Sequence, residues 1–402
     1  MATEDRYHVL DALRGFALFG IVFFNIRVFS GWRLMSEEQR VTLWGVTAQG
    51  YDLFVKVLFA GKFYTLFSLL FGISFAVQLS RLEAGGKQAT VIYLRRLSIL
   101  LLIGATHMFL MWPGDILMSY ALLGFLLLAL HRFSDKTILA MAGITFSIPI
   151  FGYLVAWASN FSMDLGLYQI GRASLVTHFP KFDGEILPLL KSEGWTDFFA
   201  FNISLAWLRL GQLLDSWRFV KLIFVMLVGM WCGRQIIRGH LLHNEVLLKR
   251  VVFIGLSVGL FVSYLTRDLG TASIFSGPPD LLGFKRIVAY MFSVFPMGFA
   301  YGAIFVLIWN RSSKVLGLLS SAGRMALTNY LMQSIICLII FYGIGLNYAG
   351  DLGPIALGTL ACLIFLFQLV FSAVWLALFK YGPLEWVWRC LTYGKFLPLI
   401  RD

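Results

Sequence analysis

The sequence predicts an all-α bundle that crosses a membrane about ten times, with both termini in the cytoplasm. Three observations carry that prediction. Of the 402 residues, 59% are hydrophobic and only 13% are charged, and the mean hydropathy is +0.80. So little charge does not cover the surface of a water-soluble protein, but it suits helices whose outer faces meet lipid. The apolar residues also gather into stretches near the roughly 20 residues that cross a hydrocarbon core. These are 9–29, 62–80, 93–112, 115–131, 137–159, 219–238, 250–266, 287–309, 325–346 and 354–380. Finally, Lys and Arg alternate between the connections. With the N-terminus inside, the inner segments hold 18 of them, and the outer segments, although longer, hold 10. That is the bias of cytoplasmic loops. It accounts for the formal charge of +12 without a nucleic-acid partner. The chain divides into an N-terminal membrane bundle (1–159), an outer loop with an amphipathic helix (160–218) and a C-terminal membrane bundle with an interfacial tail (219–402).

The first span, Leu10 to Arg27 (LDALRGFALFGIVFFNIR), carries polar residues that an anchor does not need. Arg14 and Asn25 are eleven positions apart, so at about 100° per residue they nearly eclipse, about 16 Å apart along the axis. Asp11 shares their face. Charge inside a membrane is expensive and marks a functional or pairing role. Asp11 and Arg14 also suit a plain ion pair one turn apart at the membrane surface. Internal charges and the lack of a small-residue cleavage motif argue against a signal peptide.

The stretch Tyr51 to Gly61 is apolar and is expected to lie along the outer surface before the chain turns in at Lys62. The second span follows. Its Ser68, Gly72 and Ser74 suit close helix approach, and Lys62 and Ser68 are also candidates to hold a substrate. The third span repeats the geometry of the first, because Arg96 and His107 are again eleven apart. Trp112 marks the expected outer interface, and Trp112-Pro113-Gly114 makes a tight turn into Asp115. An acidic residue suits the helix start that follows. His107 is the one histidine in the interior of a span, since His131 is only the last residue of another. A neutral imidazole there can take a proton, and Asp115 can orient it. A buried histidine bonded to a neighbouring helix is the structural alternative.

The last third of the 160–218 loop, WTDFFAFNISLAWLRLGQLLDSW, is apolar but broken by Asn202, Arg209, Gln212 and Asp215. It reads as an amphipathic helix on the outer face, either a lid or simple surface packing. The ninth span adds Thr328, Asn329, Gln333 and Ser334. Asn329 and Gln333 lie one turn apart, where they can bind a polar ligand or tie helices together. In the tail, Glu385 and Arg389 are four apart and are expected to pair on a helix at the inner membrane face. The four cysteines form no CxxC, and His240 and His243 in HLLHNE could suggest a metal but have no further ligand at suitable spacing, so a solvated loop and no metal are expected.

Several blocks resemble the YeiB family of bacterial inner-membrane proteins: LDALRGFALFGIVFFNI, KFYTLFSLLFGISFA, RRLSILLLIGATHMFLMWPGDILMSYALLG, GRMALTNYLMQS and YGPLEWVWRCLTYGK. The resemblance implies a multi-pass protein of the bacterial inner membrane. It extends to a wider superfamily of transmembrane acyltransferases, which includes the lysosomal heparan-alpha-glucosaminide N-acetyltransferase with its D-x-x-R-G…N opening. Asp11, Arg14, Gly15 and Asn25 match that pattern. The catalytic histidine of that enzyme follows in the next outer loop, whereas Ile26 to Gly50 here contains none. His107 is the substitute to test.

The function expected is transmembrane acyl transfer. A cytoplasmic donor, acyl-CoA or acetyl-CoA, would be held by Asp11, Arg14, Arg96, Asn329 and Gln333, because guanidinium groups suit phosphates. His107 would act as general base on an acceptor at the outer face, Asp115 would orient it and Asn25 would hold the oxyanion. The partners expected are the bilayer, a small-molecule donor and an acceptor; a homodimer stays open. The alternative is a transporter or flippase of a small anionic or amphipathic solute along the same polar stripes.

Overall fold

The computed structural model describes residues 3–86, 88–161, 163, 166–267, 269 and 279–401. Within them the chain is helical, with no strand beyond an isolated antiparallel bridge between Phe379 and Ile400. Helix α1 (Thr3–Phe29) is followed by α2 (Glu37–Trp44), which Ser36 and Gln39 start with a reciprocal capping box. Helix α3 (Val46–Leu58) leads through Gly61, in the left-handed region at φ 79°, into α4 (Lys62–Ala84). Helix α5 (Ala89–Thr106) ends in a π-helical turn, His107–Met111. Next come α6 (Leu117–Leu130), α7 (Asp135–Ser159), α8 (Leu167–His178), α9 (Leu187–Leu190) and α10 (Trp195–Asp215). The second half holds α11 (Arg218–Ile237), α12 (Glu245–Leu265), α13 (Leu281–Trp309), α14 (Ser313–Gly317) and α15 (Leu319–Arg324). It closes with α16 (Ala326–Phe341), α17 (Pro354–Leu378) and α18 (Pro383–Tyr393).

Among the described residues, eight runs are long and apolar enough to cross a membrane: α1, α3 with α4, α5 with its π turn, α7, α11, α12, α13 and α17. The run Ser313–Arg324, which is α14 with α15, and α16 meet at a bend of 76° and make a ninth if the two arms are taken as one span. Helix α6 has 14 residues, about 21 Å of helix, which is short of the roughly 30 Å core. The protein is therefore an all-α polytopic membrane bundle. The starts of α1 and α16 and the tail helix α18 gather at one end, called here the N-terminal face. At that end Gly15 and Gly323 bring α1 and α15 into backbone contact. A Cβ on Gly323 would collide with the Asp11 carbonyl, and one on Gly15 with that of Leu319. The glycine of the opening motif thus serves packing.

Two expectations are corrected at this level. Trp112 does not mark a membrane interface. It is buried, its ring stacks on Phe29 at 4.1 Å and it lies 6.3 Å from His107. The physical reason is a roof. Helix α10 packs over the π turn through Trp207 against Phe109, with Ala206 and Leu213 on Met108, so His107, Met108 and Trp112 lie inside the protein. In the tail, Glu385 does not pair with Arg389. It caps α16 instead: one carboxylate oxygen accepts from the backbone N–H groups of Leu327 (2.7 Å) and Thr328 (3.0 Å), and the other from the Thr328 hydroxyl (2.6 Å). Charge-assisted bonds to orphan helix donors outweigh an exposed i,i+4 pair. Arg389 lies over the Tyr381 ring.

Candidate functional site

The site begins where α5 stops being regular. The π turn places His107 within the bundle, and Trp112 leaves it in extended backbone with its N–H on the His107 carbonyl at 2.7 Å. Wide turns of this kind recur at functional sites. The tight turn that follows brings Asp115 back beside His107, eight residues on. One Asp115 oxygen meets His107 Nδ1 at 2.8 Å; the other accepts the Met118 N–H at 2.7 Å and so caps α6. Across the bundle, His107 Nε2 meets Ser334 Oγ of α16 at 2.9 Å. Asp115, His107 and Ser334 are 3%, 1% and 1% exposed. A carboxylate fixing Nδ1 leaves Nε2 to work on a hydroxyl, the logic of a serine–histidine–acid triad. Sequence reasoning noted Ser334 among the polar residues of its span but gave it no role. Its partner lies 227 residues away, a pairing that helical phase alone does not show.

Beside the triad, Tyr330 lies one turn before Ser334 with its ring 5.5 Å from that of His107. Its hydroxyl accepts the Ile116 N–H at 3.2 Å, which leaves its own proton free to donate. Below it a cavity of about 330 Å³ opens toward the N-terminal face. Tyr330 and Tyr120 line its inner end, and Phe67, Leu70, Phe71, Leu97, Leu100 and Leu117 form apolar walls. Five cations, Arg14, Arg96, Arg324, Lys380 and Arg389, share the lining with two carboxylates, Asp11 and Glu385. Asp11 pairs with Arg14, whose other nitrogen donates to Ser74 Oγ at 2.6 Å. Arg96 lies 3.7 Å over the Trp388 ring. Glu385 is committed to α16, and burial raises its carboxyl above the usual glutamate range, partly offset by the Thr328 and Leu327 donors. The cavity is thus basic at its mouth, apolar along its length and closed by two phenols. A pocket of about 300–1,000 Å³ suits a small ligand.

The structure brings His107 and Asp115 together, and it sets Asp11, Arg14 and Arg96 around one cavity. Other expected site residues lie elsewhere. Asn25 is half-buried, one turn before Phe29, and no hydrogen bond joins it to His107, Asp115 or Ser334 among the described residues. Lys62 is buried and donates to the Lys56 carbonyl at 2.9 Å. Ser68 Oγ lies 2.7 Å from the Tyr120 hydroxyl, at the inner end of the cavity. Asn329 and Gln333 tie helices: Asn329 donates to the Ala322 carbonyl and Ser372 Oγ, Gln333 donates to Gln368, and Gln368 donates to the Asn329 carbonyl.

Fold and site define a polytopic helical membrane protein with a basic cavity on one face leading to a buried hydrogen-bonded triad. More narrowly, the chain belongs to the YeiB-like family. It is 31% identical to the uncharacterized protein YxaH of Bacillus subtilis strain 168 over 409 residues, covering 99% of this chain and 97% of that protein. It is 29% identical to an uncharacterized 39.9 kDa protein in the amylase 3′ region of Bacillus acidopullulyticus, covering 100% and 97%. It is 27% identical to the uncharacterized protein YeiB of Escherichia coli K12, covering 98% of each. Residues 232–395 match the family described as protein of unknown function (DUF418). No solved structure matches the chain.

Proposed function

We propose that the protein is a bacterial inner-membrane acyltransferase whose N-terminal face is cytoplasmic. The observation that carries the reading is the alignment of a basic-mouthed, apolar-walled cavity with the Ser334–His107–Asp115 chain just beyond its inner end. A donor of the acyl-CoA or acetyl-CoA class fits that gradient. Its phosphates match Arg14, Arg96, Arg324 and Arg389, and its acyl arm matches the walls.

The chemistry follows from the hydrogen bonds. His107 Nε2 takes the Ser334 proton as the serine oxygen attacks the acyl carbonyl. The carbon–sulfur bond breaks, the thiolate leaves with the proton from His107, and the acyl group rests on Ser334 as an ester. An acceptor hydroxyl or amine then attacks that ester, giving its proton to His107, which returns one to Ser334 Oγ. Asp115 holds the tautomer and supports the imidazolium. Tyr330, with its free proton beside His107, takes over the oxyanion role first assigned to Asn25.

The test supplies radiolabelled acetyl-CoA and a panel of alcohols and amines to the purified protein in liposomes. Label in an acceptor, lost in His107→Ala, supports the reading; neither transfer nor donor binding across the panel would sink it. Transport or flipping of an anionic amphiphile is the second reading, favoured by the arginines at both ends of the buried polar path. Substrate-dependent uptake into proteoliposomes without covalent turnover would select it.

A further inference from the structure

The reacting carbon of an acyl donor is not its tip. In a thioester seated with its phosphates at the cavity mouth, the sulfur faces the mouth and the acyl tail extends past the carbonyl, deeper into the bundle. The side chains at the inner end of the cavity therefore decide which acyl groups fit. Of the two phenols there, Tyr330 stands beside His107, whereas Tyr120 on α6 has no part in the transfer chemistry.

Tyr120 is fixed from several sides. It is 1% exposed. Its ring lies 5.1 Å from that of Phe71, 6.0 Å from that of Phe67 in a stacked pair and 6.1 Å from that of Tyr64. Its hydroxyl lies 2.7 Å from Ser68 Oγ, and Ser68, itself fully buried, donates its proton to the Tyr64 carbonyl at 2.8 Å. Ser68 Oγ therefore accepts the phenol proton. Helix α6 is held as firmly. The Asp115 carboxylate caps it at the Met118 N–H, and Gly104 brings α5 so near that a Cβ there would collide with the Met118 backbone. In a close-packed interior a ring held this way moves only if its neighbours move.

Behind this wall lie little room and unsuitable chemistry for an alkyl tail. Ser68 also lines a crevice, shared with Tyr64, Arg218, Lys221 and Tyr290, that is too tight for a water molecule. Arg218 donates to the Tyr290 hydroxyl at 2.8 Å and lies 4.6 Å over the Tyr64 ring. Lys221 Nζ lies 4.5 Å over the Tyr290 ring. A tail pushed past Tyr120 would part these cations from the aromatic faces that hold them and set methylene groups against buried charge.

We propose that Tyr120, braced by Ser68, is the specificity-determining residue that limits the length of the acyl group, so that the cavity takes a short acyl donor and refuses a longer chain. The proposal rests on the acyl-transfer reading and adds to it the residue that selects the donor. Tyr120 acts by occupying the space that a longer tail needs, and the hydrogen bond to Ser68 keeps its ring there.

The test measures binding of radiolabelled CoA, acetyl-CoA and hexanoyl-CoA to the full-length protein in nanodiscs by equilibrium dialysis, with empty nanodiscs as the blank. Wild type is expected to bind acetyl-CoA at least about tenfold more tightly than hexanoyl-CoA, the order by which a pocket wall rejects extra methylenes. Tyr120→Ala leaves a cavity where the ring stood, and Tyr120→Leu is a milder truncation that keeps an apolar core. Each is expected to bring the two donors to nearly equal affinity. Free CoA has no acyl tail, so its affinity stays at the wild-type level in both variants. Equal binding of acetyl-CoA and hexanoyl-CoA by wild type, or a preference that survives in both variants, would overturn the length limit and leave the acyl-transfer reading standing. A preference lost only together with CoA affinity would mark Tyr120 as a packing residue and overturn its role in specificity. Binding of none of the three probes by wild type would overturn the donor reading, and the length limit with it.

Discussion

Replacing Glu385 separates the tail's role as a clamp on α16 from that of a passive membrane rim. Its carboxylate accepts three hydrogen bonds, at 2.7, 3.0 and 2.6 Å, from the first turn of the helix that carries Tyr330 and Ser334. Bonds to a charged acceptor are worth about 1.5–3 kcal/mol each when buried, and losing a helix cap costs about 0.5–2 kcal/mol. Here the cap lines an open cavity, so water can reach the freed donors and the lower figure applies. Glu385→Ala is expected to destabilise by about 2 kcal/mol. Glu385→Gln, which keeps one acceptor oxygen, should lose about half of that. The pH dependence has a definite sign. Because the folded-state pKa is raised, the folded form binds a proton more tightly than the unfolded form. The contribution of this group therefore grows as pH falls through the raised value and diminishes as pH rises from the ordinary glutamate value. Gln does not titrate, so the advantage of wild type over Gln should be larger near pH 4.5 than at pH 7. Unfolding in detergent, followed by tryptophan fluorescence at both pH values, reads these differences. An Ala variant as stable as wild type would refute the clamp, and a wild-type advantage over Gln that grows with pH would refute the raised carboxyl.

Three further outcomes follow. Ser334→Ala and His107→Ala each reduce acyl transfer at least about a hundredfold, the low end for losing a nucleophile or its base, while circular dichroism and donor affinity stay near wild type. Arg324→Gln, an exposed cation at the cavity mouth, weakens acyl-CoA binding several-fold at low salt and less at high salt, measured by equilibrium dialysis; salt-independent binding would remove it from the donor site. Gly323→Ala forces α15 off α1 at the Asp11 carbonyl and costs about 1–3 kcal/mol as overpacking, read as a loss of folded protein by size-exclusion chromatography.

Much of the fold was legible because lipid leaves few options. Long apolar stretches and alternating loop charge predict an all-α bundle; helices stand at the ten expected places, but among the described residues only eight runs, or nine with the bent pair, are long and apolar enough to cross a membrane. The pairing of His107 with Asp115 was legible because a tight turn returns the chain over eight residues. Ser334 was not, since helical phase fixes a face but not the neighbour it meets. Trp112 misled because an aromatic residue at a helix end reads as an interface marker, while the roof over that turn comes from α10, where Trp207 packs on Phe109 from ninety-eight residues further along the chain. Glu385 and Arg389 misled because spacing alone shows a local partner but not the open end of α16 beside it.

The central claim is that Ser334 carries the acyl group between donor and acceptor. It is tested most directly by incubating the purified protein with radiolabelled acetyl-CoA in the absence of acceptor, quenching with acid and locating the label by peptide mass spectrometry. The account predicts one acetyl group on the Ser334 peptide, absent in Ser334→Ala and greatly slowed in His107→Ala. Acetyl transfer to an acceptor that proceeds undiminished in Ser334→Ala, with no label on that peptide in wild type, would contradict it.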